Sequence, residues 1–118
     1  MTIFQFSDVL EPAGDKPIRV LARISVLRTG DGGRQTAFKG GYRPNHNFGS
    51  AEDRVFYVGQ VEATEGTWVH PGETRDLVVT FLNVRGLSDL LTVGRTWRIQ
   101  EGPRHVATGE VLALLSEA

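Results

Sequence analysis

The chain has 118 residues, with 13 Lys and Arg against 14 Asp and Glu for a net charge of −1, and it contains no cysteine. A chain of this length fits one domain that can bury a core without metals or crosslinks. The missing cysteines exclude disulfides and thiolate zinc sites and suit a reducing cytoplasm, where we expect the protein. The nearly neutral charge argues against binding nucleic acid by bulk electrostatics, although a local basic face stays open.

The beginning of the chain, "MTIFQFSDVLEPAGDK", lacks the basic and apolar regions of a signal peptide. No window approaches the roughly 20 apolar residues of a membrane span, so we expect no membrane association. We interpret residues 1–17 as an N-terminal extension and residues 18–118 as one domain. The stretch "TIFQF" in the extension would either add an edge strand or exchange between copies.

The first half of the domain predicts strands separated by glycine-rich turns. Apolar and polar residues alternate from Ile18 to Val26, which is typical of a half-buried strand. Tyr42 to Phe48 predicts a poorer strand at an edge or bulge, because Pro44 lies within it. Arg54 to Ala63 predicts a strand in which Gly59 marks a bend or a close backbone approach.

The second half continues the same pattern. Trp68 lies among turn residues, and Asp76 to Leu82 is a β-branched and aromatic run that predicts a strand. Leu87 to Leu91 could form a short helical turn, but we favour a loop. Arg95 to Gln100 and His105 to Leu115 predict strands joined by the tight turn "EGPR". Because no segment has the pattern of a helix of ordinary length, the sequence predicts an all-β barrel or sandwich.

Four blocks of the sequence, in order, resemble one known domain. They are "DGGRQTAFKGGYRP", "VEATEG", "HPGETRDLVVTFL" and "GRTWRIQEGPRHVATGEVLALL". Together they resemble the C-terminal β-barrel, domain 3, of elongation factor Tu, over about Arg19 to Leu115. The resemblance implies a six-stranded antiparallel closed β-barrel and a translation-related setting.

The resemblance does not extend to GTP chemistry, which elongation factor Tu carries in another domain. A phosphate loop needs glycines followed by Lys and Ser or Thr, and "FKGGY" lacks that order. The histidines His46, His70 and His105 are scattered without metal-ligand spacing, and no serine lies in a nucleophile-elbow pattern. We therefore expect no GTP, no metal, no cofactor and no enzymatic activity.

In elongation factor Tu, this barrel holds the T-stem backbone of aminoacyl-tRNA. The positions that match imply five RNA- or partner-binding residues: Arg34, Gln35, Asn45, Glu101 and Gly102. Arg34 would donate to a phosphate, while the amides of Gln35 and Asn45 would bind a phosphate or a 2′-hydroxyl. The Gly102 amide would approach the sugar-phosphate closely, and Glu101 would accept from a 2′-hydroxyl and orient Arg34.

Three further residues, Lys39, Arg43 and Trp68, are secondary surface candidates. Trp68 would either pack at a barrel end or stay exposed as an interface anchor. Glu101 would otherwise form a solvated ion pair with Arg104 beside its turn.

Several departures from the family weaken the RNA interpretation. Pro103 replaces a glycine and removes a backbone donor beside Gly102. Val58 stands where the family usually has a threonine. The longer segment "GSAEDR" would bring Glu52 and Asp53 near the phosphate track and repel it.

Two functions remain open from the sequence. We favour a non-catalytic, stand-alone binding module that acts through contacts with a protein partner. The alternative is a weak RNA-binding protein that recognises the T-stem of tRNA. The sequence does not identify the partner.

Overall fold

The computed structural model describes residues 12–14 and 16–116, so the "TIFQF" stretch of the extension lies outside the described residues. These residues form eight strands and one short 3-10 turn at Thr29–Asp31. In chain order the strands are β1 Ile18–Val26, β2 Phe38–Lys39, β3 Asn45–Asn47, β4 Tyr57–Val61, β5 Trp68–Val69, β6 Thr74–Phe81, β7 Thr96–Glu101 and β8 Arg104–Ser116.

Six of these strands close into a barrel in the order β1-β6-β4-β3-β7-β8, and β8 pairs back onto β1. Every neighbouring pair is antiparallel. The predicted all-β, six-stranded antiparallel closed barrel is therefore confirmed. Closure leaves both edges of β1 paired, one to β6 and one to β8, so no edge of that strand can recruit another segment.

Strands β2 and β5 form a separate two-stranded sheet that the sequence did not predict. Trp68 was expected in a turn, but it pairs with Lys39 in β2, and Val69 pairs with Phe38. Phe38 and Val69 are almost fully buried. Their burial explains why such short strands persist, since they cover one end of the barrel with apolar side chains.

The predicted strand from Tyr42 to Phe48 is wrong in its extent. Only Asn45–Asn47 is a strand, and Tyr42 makes an isolated bridge to Val61. Pro44 lies between these two pairings. It interrupts the strand because it has no backbone N–H to donate to a ladder.

The other predicted strands shift at their ends. The expected strand from Arg54 to Ala63 shortens to Tyr57–Val61, and the one from Asp76 to Leu82 becomes Thr74–Phe81. The last two strands begin and end within one residue of their predicted bounds, at Thr96–Glu101 and Arg104–Ser116. The prediction for β1 is confirmed in full.

The core is built from the inward rows of the barrel strands, with the aromatic rings of Phe81 and Trp97 at its centre. Gly59 is a close approach, as predicted. A Cβ there would lie 2.9 Å from both the Nε2 atom of His46 and the Cδ1 atom of Phe81. Gly109 serves the same purpose, since a Cβ there would lie 2.5 Å from the Trp97 ring.

Antiparallel strands give the barrel two distinct ends. We call one the hairpin end, which carries the β7–β8 turn at Gly102 and Pro103 and the β2–β5 sheet. The opposite end carries the residues before β1 and the connection from Leu82 to Arg95. That connection contains turns rather than a helix, as favoured from the sequence, and buries Leu87 and Leu91. Among the described residues, no helix is long and apolar enough to cross a membrane.

Candidate partner-binding end of the barrel

The residues that the sequence singled out lie at one end of the barrel. The ends of β4 and β7 meet the starts of β3 and β8 there, because neighbouring strands are antiparallel. Loops on either side of β2 and β5 complete this end. The hairpin end thus holds all eight candidates: Arg34, Gln35, Lys39, Arg43, Asn45, Trp68, Glu101 and Gly102.

Arg34 is an internal support of this end rather than a free cation. Its Nη1 atom forms an ion pair with the Glu101 carboxylate. Its Nε atom donates to the Thr36 carbonyl oxygen at 3.0 Å, and its Nη2 atom donates to the Thr36 hydroxyl at 3.2 Å and to the Ala37 carbonyl at 3.4 Å. Four of the five guanidinium N–H groups are therefore occupied within the chain.

Glu101 joins two parts of the hairpin end. Besides Arg34, its Oε2 atom accepts a hydrogen bond of 2.5 Å from the Tyr42 hydroxyl. The Arg34 guanidinium also lies 4.9 Å from the centre of the Tyr42 ring, which is a cation–π contact. The three side chains form one cluster, which we call the Arg34–Tyr42–Glu101 cluster.

The expected pairing of Glu101 with Arg104 is wrong. The two residues are opposite each other across the turn, but the carboxylate contacts Arg34 and Tyr42 instead. The Arg34 side chain is only 18% exposed, so solvent screens its attraction to Glu101 less than it would screen exposed Arg104.

The electrostatics of the cluster keep Arg34 charged and Tyr42 neutral. Partial burial works against the Arg34 charge, but the hydrogen bond and charge of Glu101 outweigh it and raise the pKa of Arg34 above its usual value. Burial, followed by the hydrogen bond to the Glu101 carboxylate, raises the pKa of the Tyr42 hydroxyl well above its usual range. The Tyr42 hydroxyl therefore remains a hydrogen-bond donor at neutral pH.

Asn45 and Gly102 lie beside this cluster. Asn45 pairs with Gln100 in the β3–β7 ladder, one residue from Glu101. Gly102 has a φ of +61° and precedes Pro103, a combination typical of a type II′ turn. The tight turn expected from "EGPR" is thus present, and Gly102 occupies the position where a side chain would be strained.

Gln100 centres a buried polar network that the sequence analysis missed. Its Oε1 atom accepts from Asn47 Nδ2 at 2.9 Å and from Arg98 Nε at 3.0 Å, and its Nε2 atom donates to the Gly102 carbonyl at 3.0 Å. A register shift between Ile99 and Gln100 interrupts the alternation, so both residues are buried. Asn47 and Gln100 are uncharged polar residues on predicted strands, and this is the feature of the sequence that could have indicated a polar pair.

The remaining candidates face solvent without joining the Arg34–Tyr42–Glu101 cluster. Gln35 is exposed, and Arg43 donates through Nε to the Gln60 side chain at 2.8 Å. Trp68 is 49% exposed, and the Lys39 ammonium lies 5.6 Å from the centre of its ring. The Trp68 ring is therefore an exposed aromatic surface on a strand that its neighbour Val69 anchors in the core.

The acidic segment from Gly49 to Arg54 lies away from the candidate RNA-binding residues, contrary to the expectation from the sequence. It connects the end of β3 to the start of β4, which places it at the opposite end of the barrel. Asp53 stabilises this loop by accepting from the Ser50 backbone N–H at 2.8 Å. The expectation that Glu52 and Asp53 lie near the phosphate track is therefore wrong.

His46 is a buried structural residue, although nothing in the sequence indicated its burial. Its Nδ1 atom accepts from Trp97 Nε1 at 3.0 Å, so its Nε2 atom carries the proton and donates to the Gly59 carbonyl at 3.0 Å. Burial lowers the pKa of His46 to about 4, against a smaller opposing effect of the bond to Gly59. Within residues 12–14 and 16–116, no three His, Asp or Glu side chains group as metal ligands.

No protein-family model matches the sequence. The site must therefore be interpreted from its own geometry. That geometry consists of an exposed Trp68–Lys39 pair beside the well-connected Arg34–Tyr42–Glu101 cluster.

Proposed function

We propose that this chain is a non-catalytic binding module that recognises a protein partner through its hairpin end. The observation that carries the proposal is Trp68, an indole that is 49% exposed on a strand whose next residue, Val69, is fully buried. Exposed tryptophans on fixed backbone are typical anchors of protein interfaces. Lys39 lies over the ring and adds a charged group at its rim.

The Arg34–Tyr42–Glu101 cluster supports this proposal because it fixes the loop before β2 and the segment after it. Arg34 precedes β2, Tyr42 follows it, and both contact Glu101 at the end of β7. A surface that is ordered before binding loses less conformational entropy when the partner arrives. The cluster thus favours a preformed face around Lys39 and Trp68.

The setting that we propose is translation in the cytoplasm. It rests on the four ordered sequence blocks that resemble domain 3 of elongation factor Tu. The confirmed closed barrel agrees with that resemblance in strand number and direction.

The proposal is tested by affinity capture with the tagged chain from a ribonuclease-treated extract of the source cells. We expect one protein to be recovered in near-stoichiometric amount, and Trp68→Ala to reduce its recovery at least about tenfold, as loss of a central anchor would. Val93→Ala is the matched control, because Val93 is 68% exposed at the opposite end. Equal recovery by Trp68→Ala, or recovery of RNA alone, would contradict the proposal.

A second candidate function is weak binding of the tRNA T-stem. The observation in its favour is that Gln35, Asn45 and the Gly102 turn lie at the same end as the Arg34–Glu101 pair. Against it, Arg34 uses most of its donors internally and the whole chain has a net charge of −1. Few phosphate contacts give a weak complex that salt dissociates.

Titration with unmodified tRNA at low and moderate salt tests this second function. We expect no saturable binding near ~100 mM salt, because Arg34 is bonded within the chain and the net charge of the chain is −1. Saturable binding under that condition, weakened by Gln35→Ala and Asn45→Ala, would favour RNA over a protein partner.

A further inference from the structure

The opposite end of the barrel carries most of the exposed large apolar side chains. Among the described residues, those other than Trp68 are Val55, Leu82, Val93, Leu114 and Leu115 at or near this end, and Val58 on the outer wall of β4, where it pairs with Asn45. Two of them are direct neighbours, because the Leu82 backbone N–H donates to the Val58 carbonyl at 2.9 Å. Adjacent exposed apolar side chains such as Val58 and Leu82 are a feature of interaction surfaces.

Val58 and Leu82 line a shallow groove on the outer wall of β4 and β6. Pro17 borders the groove at the opposite end of the barrel, and Arg43 and Glu62 border it toward the hairpin end. Thr80 lies in its floor and pairs with Arg19, whose side chain is exposed. The groove therefore offers an apolar strip with Arg43 and Glu62 at one border and Arg19 nearby.

The N-terminal extension reaches the barrel beside this groove. Pro12 forms an isolated bridge with Val84, and the Ala13 backbone N–H donates to the Asn83 carbonyl at 3.1 Å. Asn83 is the residue directly after Leu82. The chain before Pro12 is thus tethered within a few residues of the apolar strip.

The first eleven residues of the sequence, "MTIFQFSDVLE", complement the groove chemically. They contain the apolar residues Ile3, Phe4, Phe6, Val9 and Leu10, two acids and no Lys or Arg. Phe4 and Phe6 are two positions apart, so an extended chain would place both on the same side. The acids Asp8 and Glu11 complement Arg43 at the groove border and the exposed Arg19 beside it, and Glu62 is the one acid among the described residues that line the groove.

We propose that residues 1–11 bind in the Val58–Leu82 groove of their own chain and cover it. The edges of β1 are already paired, so the segment cannot extend the barrel beside that strand. Eleven extended residues span at most about 36–40 Å, and the longest dimension of the described molecule is 36 Å, so reach does not limit the contact. The short tether gives the segment a high effective concentration at the groove.

A spin-label experiment tests this proposal in the full chain. The natural sequence has no cysteine, so Ser7→Cys provides a unique site for a nitroxide label. We expect the label to reduce the amide NMR signals of Val58, Thr80 and Leu82, and to leave those of Trp68 and Lys39 unchanged. Leu82→Asp should restore the lost signal intensity, whereas Val93→Asp, an exposed substitution at the same end, should not.

A mixed sample identifies the occupant. Isotope-labelled chain without nitroxide is combined with unlabelled chain that carries it, so that only contacts between copies reduce the signals. Loss of the groove signals in the mixture would show that a second copy supplies the segment and would overturn the proposal. Full signal intensity at the groove in both the single-chain sample and the mixture would also overturn it, because residues 1–11 would then not bind the groove at all.

Discussion

Individual polar residues hold this barrel together by linking segments that are distant in the sequence. Arg34 and Glu101 are 67 positions apart, and His46 and Trp97 are 51 positions apart. Among the described residues, no buried side-chain nitrogen or oxygen lacks a hydrogen-bond partner. Removing one member of a buried pair such as His46 and Trp97 leaves the other buried without that partner, which costs more than the bond itself contributes.

A double-mutant cycle at Arg34 and Glu101 tests the support that we assign to the Arg34–Tyr42–Glu101 cluster. Arg34→Ala should lower the free energy of unfolding by about 1–3 kcal/mol, because it breaks a partly buried, charge-assisted bond. The exposed pair Arg28 and Asp31 is the control, with a coupling of about 0.5 kcal/mol or less. The coupling energies are measured by urea unfolding. If Arg34 and Glu101 couple no more strongly than Arg28 and Asp31, the cluster does not stabilise the hairpin end.

The burial of His46 predicts a dependence of stability on pH. Its pKa is about 4 in the folded chain, below the usual value of 6.5, so the unfolded chain binds the proton more readily. The stability that His46 contributes should therefore be constant above about pH 6.5 and fall as the pH decreases toward 4, by on the order of 3 kcal/mol.

Urea unfolding of His46→Gln between pH 4 and 7 measures this contribution. We expect the variant to lose most of the pH slope, while His70→Gln, whose side chain is 61% exposed, should keep it. An unchanged slope in His46→Gln would mean that other groups account for the acid sensitivity.

Among the strands, the sequence predicted those in which apolar and polar residues alternate regularly. The strand Ile18–Val26 was predicted in full because nine residues alternate without a glycine or proline. Strands β2 and β5 escaped prediction because two residues are too short for any period to be visible.

The same limit applies to the candidate site. The resemblance indicated the residues of the hairpin end, and alternation indicated which strands end there. The resemblance also suggested that Glu101 orients Arg34, as the ion pair shows, but neither source could show that Arg34 donates to Thr36 and Ala37 as well, because those contacts depend on loop geometry. The burial of Gln100 depends on a register shift that only the paired strand reveals.

The packing of β7 on β8 gives a prediction for Gly109. Gly109→Ala should lower the free energy of unfolding by about 1–3 kcal/mol, because the new Cβ would overlap the Trp97 ring. In a Trp97→Phe background the same substitution should cost less, since the ring atoms that it meets are gone. Gly30→Ala is the control, because nothing lies within 4 Å of its Cβ position. Equal costs in the two backgrounds would argue against the contact.

At the scale of the whole molecule, closure of the barrel separates two surfaces with different chemistry. The hairpin end combines Trp68 and Lys39 with a fixed polar cluster. The opposite end gathers aliphatic side chains and receives the N-terminal extension. We propose on this basis that one small domain presents a partner-binding face at the hairpin end, with the N-terminal extension at the other.

The most direct test of the partner-binding face is an amide NMR map of the labelled chain, titrated with the protein recovered by ribonuclease-treated capture. We expect the largest shifts at residues 38–40, 67–70 and 101–104, which surround Trp68 and the β7–β8 turn. Shifts confined to Val58, Leu82 and Val93, with residues 67–70 unchanged, would contradict the assignment of the hairpin end as the binding face.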